Sequence, residues 1–376
     1  MLDPFGLSDE QRAIAEVAFE LGAKYARRRF DDHSASDAQW AELAALGFAG
    51  LSLPEEYGGA GGITDLCVAM ERLSAGGYPA GKLVVHTAVA GSIMARHGTP
   101  TQRDRWLPGM TSGTERFCFA LTEPGAGSNM RNITTSARRT DDGWVLSGQK
   151  TFISALESSD AIMIVARMPE YEGLGIFSLS LPAGGLTMQP VSIDVGVFET
   201  QWTLYLDDVH VPSDALVGEP GKGGRVLFDG LNPERLTVAA QAVGIGRWAV
   251  SIAAKYAQER SVFGVPIGAH QAVQHPLAEA LIRVEGAWLL LLRAAHLLDA
   301  GGDPAVESSI AKTAATDAAV YATDRALQTF GGSGFTTDAG IIERHEYARL
   351  LQVVPVAREL TLNHIATAGL KLPRSY

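Results

Sequence analysis

Cysteine is nearly missing from this sequence: two occur in 376 residues, Cys67 and Cys118, far apart and in no C-x-x-C or Cys/His spacing. That excludes a disulfide framework and offers no zinc pattern, so no metal is expected. Dense basic runs are also absent. "ARRRF" at 26–30 and "SARRT" at 136–140 are too short, and 42 acidic against 31 basic residues give a formal net charge of −11. Nucleic acid is therefore not an expected partner. No segment reaches the roughly 20 apolar residues of a membrane span, and residues 1–20 hold no basic region followed by an apolar run. A cytoplasmic protein without membrane contact is the expectation. What remains is a chain 46% hydrophobic and 19% charged, long enough to bury a large core in two or three domains.

The apolar spacing changes twice. From Ser8 to about Met110 it is helical: "SDEQRAIAEVAFELGAKYA" opens on a capping signal, "DAQWAELAALGFAGL" ends at glycine, and "TDLCVAMERLSAGG" resumes after a Gly-rich loop. Between about Phe117 and Val217 short alternating runs such as "DDGWVLSGQKTFIS" and "TLYLDDVHVP" are bounded by turn residues. Long helical patterns then return. The order predicts an α+β protein with an N-terminal helical domain (1–115), a middle β barrel or sandwich domain (116–225) and a C-terminal four-helix bundle (226–376).

Two stretches raise chemical questions. In "GLNPERLTVAAQ" (230–241) Asn232 reads as an N-cap and Pro233 as the first helical residue. Glu234 then falls in the first turn, where free N–H groups and the helix dipole favour an anion. In "FALTEPGAGSN" (119–129) Thr122 and Ser128 flank a Gly-rich turn after an apolar strand. Its exposed N–H groups suit a phosphate or a polar ring edge, and an ordinary turn fits equally well.

Taken in order, "TEPGAGSN", "GQKTFIS", "DDVHVP", "GEPGKG", "ERSVFGVPIGAHQAVQ" and "LQTFGGSGF" resemble the acyl-CoA dehydrogenase family, across nearly the whole chain. The resemblance implies FAD, an acyl-CoA or acyl-carrier thioester as substrate, an electron-transfer flavoprotein as electron acceptor, and a homotetramer. It places Thr122 at the pyrimidine edge of the flavin and Ser128 on the pyrophosphate. The family's W-I-T reads F-I-S here, so Phe152 covers the flavin ring and Ser154 lies near N5. Arg260 and Phe263 of "RSVFG", with Gln271, are assigned to the adenosine diphosphate half of a neighbouring subunit's FAD, and Gln328, Gly331 and Gly332 to the other dinucleotide contact. An arginine fork suits a pyrophosphate.

The same resemblance turns Glu234 into the catalytic base candidate. Most members carry the base in a loop segment Y-E-G-T, but the matching segment here is "VVPVA", with Pro355 in the glutamate's place. A minority similar to isovaleryl-CoA and long-chain dehydrogenases takes it from the helix that begins "ER", and Glu234 stands there. Arg235 is the adjoining substrate-contact candidate, and the analogy points to a short, branched or otherwise non-standard acyl group. Pro355 also removes the backbone N–H that, in the family, donates to the thioester carbonyl. Further departures are "EYA" at 346–348, Ala357 for a phosphate-contacting threonine, and "SIDVGVFETQW" for a Lys-x-Gly-x-Arg segment. Two alternatives follow: a catalytically degenerate subunit of a heteromeric dehydrogenase, or a flavin monooxygenase on the same scaffold.

Overall fold

The computed structural model describes residues 6–26, 33–193, 195 and 200–374. Six helices and a π-helical stretch come first: α1 (Asp9–Tyr25), α2 (His33–Ala45), α3 (Ile63–Gly76), α4 (Gly81–Leu83) running through Val84–Gly91 into α5 (Ser92–His97), and α6 (Pro100–Thr111). Ser8 caps α1 in a reciprocal box with Gln11. Close packing of α1 on α3 depends on two glycines. A Cβ at Gly22 would lie 2.3 Å from the Leu73 carbonyl oxygen, and one at Gly76 2.6 Å from that of Phe19.

Eight strands follow: β1 (Phe117–Ala120), β2 (Ser136–Arg139), β3 (Gly143–Ser154), β4 (Ala161–Met168), β5 (Gly173–Ser180), β6 (Leu186–Val191), β7 (Gln201–Pro212) and β8 (Leu216–Val217). The sheet runs β6-β7-β3-β2-β4-β5-β8, with β1 parallel to β4. Strand β4 is covered on both faces, and its period of two sorts its side chains. Ala161, Met163 and Val165 pack with Ile93, Met94, Trp106, Leu227 and Leu231, while Ile162, Ile164 and Ala166 pack with Trp144, Phe177 and Leu204. One face of the sheet is thereby fixed against helices from both ends of the chain.

The C-terminal region is built on α7 (Gly223–Glu259), α8 (Gln271–Asp299), α9 (Ala305–Phe330), α10 (Ile341–Val353) and α11 (Arg358–His364), with a hairpin of β9 (Ser261–Val262) and β10 (Val265–Pro266) between α7 and α8. Small buried residues, Ala239, Ala242 and Ala249 on α7 with Ala311, Ala315 and Ala319 on α9, belong to one core. Arg247 of α7 is buried between Glu71 of α3 (3.1 Å) and Glu285 of α8 (2.8 Å), and so ties three helices.

Helix α7 corrects the local reading of "GLNPERL". Its helix does not begin at Asn232; it begins nine residues earlier, and Asn232 and Pro233 are interior. The glycines of "GGRVLFDGL" mark a break on propensity alone, but burial of Val226, Leu227 and Leu231 against the sheet outweighs it. Glu234 thus lies beyond the first turn, where the helix dipole has little effect. The Thr237 hydroxyl donates back to the Pro233 and Glu234 carbonyls, and the Asn232 side chain accepts from Arg235 instead of capping. Helix α7 is also long and apolar enough to meet a membrane-span criterion, contrary to expectation, but 78% of its most apolar window is buried inside the protein. It is a core helix.

Candidate active site

Glu234 is 8% exposed, and its Oε2 has no hydrogen-bond partner. Burial pushes its carboxyl up to about 8, against the pull of Arg235 and Lys312. Arg235 is buried too; one Nη donates to Asn232 Oδ1 at 2.7 Å and its Nε is unpartnered. Lys312, on α9, is fully buried. Its Nζ donates to the carbonyls of Val356 (2.7 Å) and Gln352 (3.2 Å). Burial, then Arg235, draws its pKa down to about 8, with Asp317, Glu234 and Glu359 acting the other way. A carboxyl that titrates near neutrality, with one oxygen free, is equipped to take a proton from carbon in a dry site.

Sequence reasoning missed Lys312. A signal was present: in "SSIAKTAATDAAV" it is a lone lysine on the same inward stripe as Ser308, Ala315, Ala319 and Ala322, all of them buried.

The turn after β1 is held by a second pair that the sequence reading passed over. Glu123 accepts from the Thr134 and Thr135 N–H groups and from Lys150 Nζ at 2.8 Å, and Lys150 also donates to the Leu121 carbonyl. Burial pushes the Glu123 carboxyl upward, but bonds from Lys150, Thr135 and Thr134 prevail and hold it at about 2. Lys150 is drawn down to about 8 by burial. The pair joins the "TEPG" turn to β3, where the Thr151 N–H donates to the Thr122 carbonyl.

Past Lys150 the register between β3 and β7 shifts before Ile153. In that irregularity Phe152 adopts φ +56°, rare for a bulky residue, and turns outward, 57% exposed. Ser154 Oγ bonds the Gln201 side chain (2.8 Å), a partner the sequence did not indicate. Thr122 is half-buried and Ser128 exposed, while a Cβ at Gly125 or Gly127 would meet nothing. This side of the turn is open to an occupant.

Arg260, Gly331 and Gly332 come together in a separate cleft of about 410 Å³, lined also by Tyr256, Val262, Thr329 and Phe330. Tyr256 and Phe330 stack there at 4.1 Å. Phe263 and Gly264 form the hairpin tip with φ +52° and +82°, a two-residue turn that needs left-handed backbone at both positions. The Phe263 side chain is 95% exposed. Gln271 and Gln328 are exposed and outside the cleft lining. A larger cavity of about 610 Å³ reaches Pro233, the residue before Glu234, from the side of the 52–62 loop.

Three family models match in succession: the acyl-CoA dehydrogenase N-terminal domain over residues 8–114, the middle domain over 118–209 and the C-terminal domain over 221–370. The chain belongs to the acyl-CoA dehydrogenase family. Among curated relatives, acyl-CoA dehydrogenase FadE12 of Mycobacterium tuberculosis is 41% identical, with 98% of each chain covered. Butyryl-CoA dehydrogenase from Megasphaera elsdenii superimposes with a TM-score of 0.92 at 29% identity, covering 99% of this chain and all of that one. A glutaryl-CoA dehydrogenase from Mycobacterium smegmatis, solved in complex with FADH2, gives 0.91 at 25% identity over 98% and 97%.

The connection from α10 to α11 is held from outside. The Val354 N–H is spent on Leu350 O, and Pro355 has none to give. The anchors come from α9: Lys312 on two carbonyls, Asp317 on Gln352 (2.7 Å) and bidentate on Arg358, Thr313 on Thr361 (2.7 Å), and Ser309 on His364 (3.0 Å). Tyr347 of "EYA" is buried, and Ala357 caps α11 without a hydroxyl. In "SIDVGVFETQW" residues 194 and 196–199 lie outside the described residues, as do 27–30 of the short basic run.

Proposed function

We propose that this chain is an FAD-dependent dehydrogenase of acyl-CoA thioesters in which Glu234 removes the α-proton. The observation that carries the reading is the buried Glu234 carboxyl with an unpartnered Oε2, under the influence of two buried cations, Arg235 and Lys312. Arg235 and Lys312 favour its ionised form, and the exclusion of water gives that form its basicity. Arg235, with its free Nε, is the candidate contact to the substrate's polar end.

FAD, when bound, supplies the hydride acceptor for the β-hydrogen. The residues present fit it. Open backbone at Gly125 and Gly127, with Thr122 and Ser128 beside it, suits the ring edge and pyrophosphate; outward-facing Phe152 suits the flat face, and Ser154 lies next along the strand. Arg260, Phe263, Gln271, Gln328, Gly331 and Gly332 are proposed to serve the adenosine half of a neighbouring copy's cofactor. A phenylalanine 95% exposed on the hairpin tip supports an assembly in which a partner copy covers it, proposed to be a homotetramer. The butyryl-CoA neighbour supports a short acyl group. Transfer of electrons to an electron-transfer flavoprotein and a cytoplasmic location complete the proposal; both thiols are free and buried.

The test is the visible spectrum of the purified chain under anaerobic conditions, before and after a panel of acyl-CoA thioesters. One thioester is expected to bleach the flavin band, and Glu234→Gln to retain flavin and lose about two to four orders of magnitude in bleaching rate. Bleaching of the variant at the native rate refutes Glu234 as base. Pro355 favours a second reading, the degenerate subunit, whose mark is a chain that purifies without flavin.

A further inference from the structure

We propose that Lys312 is a positioning residue for proton abstraction, holding the Pro355 connection in place and setting the charge environment of Glu234. The proposal rests on the Glu234 reading above.

The geometry starts from the connection itself. Proline gives residue 355 no donor, so that stretch of backbone is held from outside. Lys312 holds it by two carbonyls that bracket the proline, those of Gln352 and Val356. The same lysine is completely buried and makes no ion pair with any carboxylate among the described residues. A neutral glutamine or threonine could tie a loop at lower desolvation cost. An ammonium kept in such a place is explained if its field acts on something nearby.

The charged groups around it are few. Glu234 and Arg235 act on it from α7, Asp317 from its own helix and Glu359 from α11. Glu234 in turn is influenced by Arg235 and Lys312. On α11, His364 is bound to Ser309 and influenced by Arg235 and Asp303. Arg235 already leans on Asn232, so Lys312 is the cation from another helix that favours the Glu234 anion. Its removal makes Glu234 harder to ionise and loosens the connection in one stroke.

Three holoprotein variants separate charge from support: Lys312→Met removes both, Lys312→Gln keeps a donor without the charge, and Lys312→Arg keeps the charge. The measurement is the rate of anaerobic flavin reduction by the best acyl-CoA of the panel between pH 5.5 and 9, normalised to bound FAD. Loss of the charge in Met or Gln is expected to move the acid limb up by about one pH unit, lowering the rate at pH 7 about tenfold, with Arg restoring most of it. If Met does not fold, Gln against Arg decides alone. An unmoved limb in the neutral variants, with losses that follow FAD content, overturns the proposal and leaves Lys312 a structural tie. If Glu234→Gln reduces flavin at the native rate, the base assignment has failed instead, whatever the lysine variants do.

Discussion

Replacing Glu234 by glutamine should make the protein more stable, and by an amount that depends on pH. The native carboxyl titrates at about 8 instead of 4.5, because burial opposes the charged form. The sign follows from proton uptake: between pH 4.5 and 8 the folded chain holds a proton on Glu234 that the unfolded chain has released, so stability falls as pH rises. At pH 4.5 the penalty is negligible; at pH 7 it amounts to about 3 kcal/mol. Glutamine is close to the same volume and carries no such term. The difference between variant and native thermal midpoints, measured by circular dichroism across this range at matched FAD occupancy, is expected to grow from near zero at pH 4.5 to about 4 °C at pH 7. Taking the difference cancels His86, which burial lowers to about 4 and whose contribution runs in the opposite direction. A midpoint difference that does not change with pH, or a variant less stable at pH 7, refutes the claim that Glu234 is a buried, uncompensated carboxyl.

Two further outcomes follow from the cofactor regions. Lys150→Met strands the buried Glu123 carboxylate and is expected to cost about 3–5 kcal/mol, read as a lower thermal midpoint together with a lower flavin-to-protein absorbance ratio; an unchanged ratio argues that the pair does not position the "TEPG" turn. Arg260→Ala removes an exposed side chain and should leave the apoprotein midpoint unchanged while weakening FAD binding about 10–100-fold, measured by flavin fluorescence titration.

The legible part of the sequence was the part written in short-range code. Helical period before Met110, alternation from Phe117 to Val217 and helical period again translate directly into α1–α6, the sheet and α7–α11. The start of α7 was misread because Gly223, Gly224, Gly230 and Pro233 all signal interruption locally, and only packing of Val226, Leu227 and Leu231 on the sheet reverses that signal. Lys312 stood out only as a lone lysine on an inward stripe, and its role was hidden for a different reason. It stands 78 positions after Glu234, and a single lysine among alanines says nothing about which charge it will act on. Glu123 and Lys150 stood inside motifs already singled out, yet their pairing depends on the β1 turn folding back on β3. Phe152 was legible as an aromatic in place of tryptophan, whereas its left-handed backbone requires the register shift between β3 and β7.

The proposed place of the base, Glu234, would also explain why proline is tolerable at 355. A base carried on a connecting segment needs that segment placed to within a fraction of an ångström, and its backbone donors are part of the placement. With Glu234 on α7, a helix with most of its residues buried and tied by Arg247 to two neighbours, the carboxyl is carried by a core element of the fold. The connection then has less to hold, and its geometry can be set by α9 through Lys312, Thr313 and Asp317 instead of by its own N–H groups. What Pro355 does not relieve is the need for a donor to the thioester oxygen. Val354 is committed to Leu350, which leaves Val356 as the first N–H past the proline, beside the carbonyl that Lys312 already fixes. A change at Lys312 that frees the Val356 carbonyl therefore also loosens the residue that carries this N–H.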